Sequence, residues 1–362
     1  MKAAVLRDVP GELNIEDVEL AEPGPGEVLL KTAAAGLCHS DLHFMEGKFP
    51  TPTPAVLGHE SAGVVEAVGP GVTYVQPGDH VITCLSVYCG NCEPCLTGHL
   101  SVCANKADTA RGEAEAPRIS QNGERVEQFL HMSSFGEHML VHEHGVVKVR
   151  KDMPLDRAAL IGCGVTTGLG AVFNTAGVEA GSTVAVLGAG GIGLNAIQGA
   201  RIAGARRIIA IDMVDLKLDI AKEFGATDVI NAAEDPVAQV YGLLGGGVDY
   251  SFECIGMKQT AEQAFNMLGQ RGTATVVGMI PMGVNIELSG IMLMVQESRI
   301  QGSNMGSNRF RVDMPRYIDL YMQGRLKLDE LVSARITLEE INAGFDAMKA
   351  GEVARSVIVF DD

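Results

Sequence analysis

Positive charge is scarce in this chain. Lys+Arg total 28 against Asp+Glu 45, which leaves a formal net charge of −17. A surface that acidic repels nucleic-acid phosphates and anionic lipid, so neither is expected as a partner. No secretion signal is expected either, because Met1-Lys2-Ala3-Ala4-Val5-Leu6-Arg7-Asp8 returns to charge before an apolar core can form. Tryptophan is absent, which carries no functional message, and there is no internal repeat. A long unbroken apolar run is missing as well. Ala158 to Val178 is uncharged, but Gly162, Gly164, Gly168, Gly170 and Gly177 with Thr166, Thr167 and Asn174 interrupt it. A buried loop and helix fits that stretch better than a membrane span. The expectation is a soluble, cytoplasmic protein.

What is present is ample. At roughly 150 residues per domain, the 362 residues imply two or three domains, and 46% hydrophobic content supplies more than one core. Eight cysteines without a secretion signal point to metal or catalytic use rather than disulfides. Cys89, Cys92, Cys95 and Cys103 are crowded together, whereas Cys38, Cys84, Cys163 and Cys254 are scattered.

The first third reads as β-rich. Runs such as Val28-Leu29-Leu30, Gly63-Val64-Val65 and His80-Val81-Ile82 are punctuated by Pro23-Gly24-Pro25-Gly26, Gly69-Pro70-Gly71 and Pro77-Gly78-Asp79. That pattern predicts a barrel-like sheet of short strands. From Ala104 to Glu127 large apolar side chains nearly vanish, which predicts a structureless lid, contact loop or disordered segment. From about Val165 to Met305 strand and helix alternate. Strands are expected at Thr183–Leu187, Arg206–Asp212, Thr227–Asn231, Tyr250–Cys254 and Thr273–Gly278, with a helix at Asp215–Phe224 stopped by Gly225. This rhythm predicts an α/β unit with a doubly wound parallel sheet. A helix over Leu338–Lys349 and a strand over Ser356–Phe360 close the chain.

Two motifs carry chemistry on their own. Gly188-Ala189-Gly190-Gly191-Ile192-Gly193 is a G-x-G-x-x-G between a strand and a helix. Its glycines allow a tight turn, backbone approach to a pyrophosphate and close packing of helix on strand. Asp212, at the end of the next strand, would accept hydrogen bonds from a ribose diol and repel a 2′-phosphate, favouring NAD over NADP. A merely structural glycine turn is the alternative. The second motif, Cys89-x2-Cys92-x2-Cys95-x7-Cys103, can wrap a tetrahedral ion with sulfur at every vertex, as in a structural zinc site. A nucleic-acid zinc ribbon would need the basic surface that is missing, and an iron–sulfur cluster is a lesser rival. Spacing does not join Cys38, His59 and Cys163, which lie far apart. A lone cysteine after glycine is commonly a small buried apolar residue.

The strings Gly36-Leu37-Cys38-His39-Ser40-Asp41 and Gly58-His59-Glu60-Ser61-Ala62-Gly63, then the four cysteines, then the glycine loop, stand in an order that resembles the zinc-dependent alcohol dehydrogenases of the medium-chain dehydrogenase/reductase superfamily. The resemblance runs nearly end to end. It implies a GroES-like β-rich catalytic domain over residues 1–164 and 305–362, and a Rossmann coenzyme domain over 165–304. It implies two zinc ions per chain: a catalytic one on Cys38, His59 and Cys163, and a structural one on the cysteine cluster. Glu60 is implied behind the metal as a transient ligand, and Asp41 as the partner that orients the His59 imidazole. Ser40 and His43 match the proton relay, although a helix N-cap would also explain Ser40. His39 stands where the family places a basic residue on the cofactor pyrophosphate. Thr167 is implied near the nicotinamide, Lys217 at the adenosine ribose and Arg355 at the pyrophosphate, alongside Gly188, Gly190, Gly191, Ile192, Gly193 and Asp212. His80, His99, His131, His138, His142 and His144 are left as structural or solvated, and Cys84 and Cys254 as core.

By the same resemblance Leu85, Phe129, Leu130, Met279 and Asn304 fall around the substrate. Their mostly apolar character implies a primary alcohol with a hydrophobic or aromatic tail, oxidised reversibly to the aldehyde with NAD. A polyol dehydrogenase is one alternative. A thiol-adduct (formaldehyde) dehydrogenase is another, whose basic residue would fall in the neighbourhood Lys106-Ala107-Asp108, with Arg111 nearby. A redox-inactive nucleotide-binding protein on the same fold is the alternative of another class, against which all three ligands and Ser40 speak. The long segment after the cysteines resembles that of dimeric members, which implies a homodimer, with a tetramer as the other possibility.

Overall fold

The computed structural model describes residues 1–112, 114–351 and 355–360. The chain forms two compact units, Met1–Cys163 with Arg309–Asp362, and Gly164–Asn308.

In the first unit, short β-branched and apolar runs pair into two sheets. One contains, side by side, Val146–Val149, His80–Thr83, Ser61–Val68, Glu27–Gly36, Arg355–Val359 and Val332–Ile336, with His138–His142 also pairing along Glu27–Gly36. The long Glu27–Gly36 strand is bonded to three partners, with His138–His142 on its first half, Arg355–Val359 on its second and Ser61–Val68 along most of its length, the last in a register that shifts at Leu29/Leu30 and Thr32/Ala34. Such irregularities bend a strand and let a sheet curl. The other sheet runs Leu13–Asp17, Lys2–Leu6, Ala55–Val56, Glu124–Gln128, Ile119–Gln121 and Glu19–Leu20. The core lies between curled strands and the helices His39–Met45 and Ile341–Ala350; Leu37, Leu42, Met45, Leu57, Phe129, Phe135 and Phe345 all belong to it.

The segment from Ala104 to Glu127 is not structureless. It contains a 3-10 turn over Lys106–Thr109 and an antiparallel hairpin of Ile119–Gln121 with Glu124–Gln128. Two apolar residues, Ile119 and Val126, suffice to seat it against Ala3, Val5, Val18 and Val56. Polar contacts complete the docking: Glu27, 3% exposed, receives Arg111 Nη2 at 2.5 Å and Arg118 Nε at 2.7 Å. Burial alone would raise the Glu27 carboxyl, but the two guanidinium groups outweigh it and bring it down to about 2.

The second unit is a six-stranded parallel sheet. Its strands lie in the order Asp228–Asn231, Arg207–Asp212, Thr183–Leu187, Val248–Glu253, Leu268–Val276, Arg299–Gly302. Chain order thus runs outward in both directions from Thr183–Leu187, the doubly wound arrangement of a Rossmann sheet. Every residue of Thr183–Leu187 is buried, as a parallel strand covered on both faces requires. Each such Val or Leu contributes about 1.5–3 kcal/mol when fully buried. Helices Gly191–Ala203, Asp215–Phe224, Pro236–Leu244 and Lys258–Asn266 alternate with the strands. Local chemistry starts them: Asp235 accepts from the Val237 and Ala238 amides at 3.0 and 3.2 Å ahead of Pro236, a side-chain cap followed by the residue best suited to the first helical position. Residues 305–308, expected with the first unit, fall in the second, where Thr167 Oγ1 reaches Met305 Sδ at 3.5 Å and Asn174 Nδ2 donates to Gly306 O at 3.2 Å. Among the described residues one helix, Leu155–Ala176, is long and apolar enough to cross a membrane, and 83% of its most apolar window is buried inside the protein.

Candidate metal centres and dinucleotide site

The four crowded cysteines converge. Cys92 Sγ lies 3.3 Å from Cys95 Sγ and 3.8 Å from Cys103 Sγ, and Cys89 Sγ lies 3.9 Å from Cys95 Sγ. Four sulfurs tetrahedrally placed at zinc–thiolate distance sit ~3.8 Å apart, and a disulfide needs ~2.05 Å. The spacing fits an ion and not a bridge. Donors close by favour thiolate at one member: the Cys95 amide leads the groups that bring the Cys92 thiol down to about 6. The turn of Glu93–Leu96 begins directly after Cys92 with Pro94 in its first positions, so the local chain alone folds the cluster.

The second centre is assembled from distant segments. Cys38 ends the extended run after Glu27–Gly36 and caps the His39–Met45 helix. His59 and Glu60 follow Gly58, whose φ of +92° is left-handed and whose missing Cβ would stand 2.6 Å from Ser134 Oγ and 2.7 Å from the Phe135 amide nitrogen. Only glycine combines that conformation with that approach. Cys163 sits in a π-helical turn, Ile161–Val165, a widened helix form that recurs at functional sites. One ligand atom from each of Cys38, His59, Glu60 and Cys163 lies within 4.8 Å of the others, and all four residues are buried.

Their electrostatics fit a cation. Asp41, wholly buried, accepts from His59 Nδ1 at 2.8 Å, which leaves the Nε2 lone pair directed away from it. That Nε2 is buried and has no hydrogen-bond partner among the described residues. A buried imidazole nitrogen without a partner is costly unless a ligand completes it. The Cys163 thiol hydrogen-bonds Cys38 and, with Arg355 nearby, holds the Cys38 thiol well below its ordinary value. Burial pushes the Glu60 carboxyl up to about 7, against the opposing charge of Arg355. Among the described residues these are the two groups of His, Cys, Asp and Glu that could hold a metal. The donor sets match zinc in its closed and open forms, with all-thiolate ligation in one and two sulfurs with one imidazole in the other.

The glycine loop stands as the sequence predicts, between Thr183–Leu187 and Gly191–Ala203. A Cβ on Gly193 would lie 1.7 Å from Gly188 O, so the close packing of helix on turn depends on this glycine. The helix begins at Gly190 with no side-chain cap, leaving its first amides and positive dipole end to a phosphate. Asp212 closes the next strand and accepts from the Ala189 amide at 2.8 Å and the Val214 amide at 3.0 Å. The same carboxylate therefore braces the loop.

The remaining site residues fall as follows. His39 is exposed and Ser40 half-buried on the first turn of His39–Met45. His43, on the same helix, has Nδ1 buried without a partner among the described residues. Burial lowers its pKa, which keeps the ring neutral. Thr167 is buried and Lys217 half-buried in the first turn of Asp215–Phe224. Arg355 is 6% exposed, donating Nη1 to Leu37 O at 2.9 Å with Nη2 3.6 Å from Glu60 Oε2. The buried carboxylate of Glu60 demands a counter-charge, and no motif in the sequence signals that pairing. Leu85, Phe129 and Leu130 lie in the first unit, Met279 and Asn304 in the second. Phe129 stands edge-on to the His59 ring at 6.1 Å. Cys84 is buried, its thiol pushed up to about 11, as a core residue's would be. His138 pairs with Glu66 and His144 stacks on Tyr88, which are structural contacts.

Comparison with known proteins agrees with this geometry. Residues 24–151 match the alcohol dehydrogenase GroES-like domain family and residues 191–322 the zinc-binding dehydrogenase family. The chain is 41% identical to alcohol dehydrogenase class-3 of Oryza sativa subsp. japonica, over 99% of this chain and 97% of that one. It superposes with a TM-score of 0.95 on an alcohol dehydrogenase zinc-binding domain protein from Burkholderia ambifaria, at 38% identity and covering 100% and 99% of the two chains. Benzyl alcohol dehydrogenase from Acinetobacter calcoaceticus gives a TM-score of 0.94 at 34% identity, over 99% of each chain. The chain belongs to the zinc-dependent alcohol dehydrogenase family of the medium-chain dehydrogenase/reductase superfamily. It is accordingly an oxidoreductase acting on CH–OH groups, with NAD and zinc as its cofactors and a GroES-like unit joined to a Rossmann sheet.

Proposed function

We propose that the protein interconverts a primary alcohol bearing a hydrophobic or aromatic tail with its aldehyde, using NAD. The observation that carries this reading is the buried convergence of Cys38, His59 and Cys163 around the unpartnered His59 Nε2. These three residues would hold the catalytic zinc, and Cys89, Cys92, Cys95 and Cys103 the structural one. When bound, zinc supplies a Lewis acid toward the alcohol oxygen and NAD the hydride acceptor. Asp41 fixes the His59 tautomer so that Nε2 stays a ligand. Ser40 Oγ would take the alcohol proton while giving up its own, and neutral His43, on the same helix, stands on the way to solvent. The backbone of Gly188–Gly193, Asp212 and Lys217 would seat the pyrophosphate and the adenosine ribose, with Thr167 toward the nicotinamide. Leu85, Phe129 and Leu130, all in the first unit, would supply an apolar wall that favours such tails.

A thiol-adduct substrate finds less support. Lys106 Nζ donates to Ser101 O at 3.2 Å, and Arg111 is held by Glu27, so neither candidate cation is free for a carboxylate. Initial rates of NADH formation across aliphatic, benzylic and polyol alcohols, and formaldehyde with glutathione, test the assignment. Benzylic and longer aliphatic alcohols are expected to lead in kcat/KM. A polyol or the glutathione adduct in first place would overturn it.

We further propose a homodimer in the cytoplasm. Arg299–Gly302 is a sheet edge, and beside it in sequence Ile291, Met294 and Val295 are 61%, 69% and 64% exposed. An exposed edge strand with a large apolar patch is a surface that association covers. Eight free thiols suit a reducing compartment.

A further inference from the structure

Between the cysteine cluster and Phe129 lies a buried polar network that the reaction does not use. Arg118 sends its three donor nitrogens in three directions: Nε to Glu27 Oε1 at 2.7 Å, Nη1 to Gln128 Oε1 at 2.8 Å, and Nη2 to Thr109 O at 2.6 Å. Gln128 passes the link on, donating Nε2 to Leu140 O at 2.8 Å. A planar guanidinium holds its donors in a rigid fork spread over three nitrogens, a geometry that the single nitrogen of an ammonium cannot reproduce.

Gln128 leads directly into a strained turn. Leu130, His131 and Ser133 have φ of 49°, 64° and 57°, left-handed values that non-glycine residues adopt only when their surroundings enforce them. The surroundings here are laced to the metal segment. Ser133 Oγ accepts from the Phe129 amide at 2.9 Å and donates to Val56 O at 2.7 Å. The Ser134 and Phe135 amides donate to Gly58 O and Leu57 O, each at 3.0 Å. The turn is thereby tied to the residues just before His59. Its product is the placement of Phe129, edge-on to His59 and 4.8 Å from the Phe44 ring.

We propose that Arg118, acting through Gln128, is a positioning residue that holds this strained turn and so fixes Phe129 as a rigid wall selecting alcohols with flat aromatic tails over small aliphatic ones. A wall held in one place can meet an aromatic tail edge-to-face, a preference lost when the ring wanders. The inference rests on the reading of Cys38, His59 and Cys163 as the catalytic metal ligands beside the alcohol.

The test is the ratio of kcat/KM for benzyl alcohol to that for ethanol, measured on the zinc-loaded enzyme with NAD. Arg118→Lys and Gln128→Ala are each expected to lower the ratio ~10-fold or more, since small misplacements at a reacting centre cost that much or beyond. Zinc content and NADH affinity stay at wild-type values. Arg111→Lys is the control: Arg111 also binds Glu27, but its other contacts are Glu22 O and Ala116 O, and its ratio is expected to stay unchanged. An unchanged ratio in Arg118→Lys or Gln128→Ala, or an equal fall in Arg111→Lys, overturns the proposal. Should Arg118→Lys fail to fold, Gln128→Ala decides alone. A wild-type enzyme that oxidises no alcohol would remove the underlying activity and this proposal with it, whereas an active enzyme with an unchanged ratio removes only the proposal.

Discussion

Cys163→Ala is expected to abolish turnover while the chain still folds. Cys163 is 4% exposed in a π-helical turn, and its Sγ is one of the ligand atoms converging within 4.8 Å. Trimming a buried sulfur to a methyl costs at most ~1–2 kcal/mol of packing, which a domain of this size withstands. The chemical loss is far larger. With only Cys38 and His59 remaining beside Glu60, the Lewis acid that contributes several kcal/mol is lost or misplaced, a fall of ~10³-fold or more in kcat/KM. Elemental analysis of the variant should find one zinc per chain, held by the cysteine cluster, where the wild type holds two. Undiminished activity would take Cys163 out of the site.

The second large effect concerns the cofactor. Asp212→Ala removes a carboxylate that braces the glycine loop through the Ala189 amide at 2.8 Å and that would bind a ribose diol. Hydrogen bonds to a charged group are worth ~1.5–3 kcal/mol each, so the KM for NAD should rise ~10–100-fold. NADP should be hurt much less, because the repulsion of its 2′-phosphate goes with the charge. The ratio of kcat/KM for NAD over NADP is therefore expected to fall ~10–100-fold, with the alcohol dependence retained. An unchanged cofactor ratio would deny Asp212 that role.

What the sequence disclosed follows the range of the interactions. The cysteine cluster was legible because Cys89–Cys103 folds through local turns, so spacing alone predicts the ligand shell. The glycine loop was legible for the same reason, since strand, turn and helix are contiguous. The second metal centre was not. Cys38, His59 and Cys163 are joined by strand pairing and by the approach of Gly58 to Ser134 and Phe135, none of which leaves a local trace. Only the resemblance to a family brought them together. Two features escaped altogether. The polar stretch after Cys103 was expected to be structureless because it lacks apolar residues, yet Glu27, distant in sequence, anchors it through Arg111 and Arg118. The pairing of Arg355 with Glu60 is the other, because a buried carboxylate requires a cation and sequence shows charges but not their burial.

One experiment reaches the centre of the account: anomalous diffraction at the zinc edge from crystals of the zinc-loaded protein. Two peaks per chain are expected, one inside Cys89, Cys92, Cys95 and Cys103, the other bonded by Cys38 Sγ, His59 Nε2 and Cys163 Sγ with one vertex open. A single peak at the cysteine cluster, or a second one away from His59 Nε2, would contradict it.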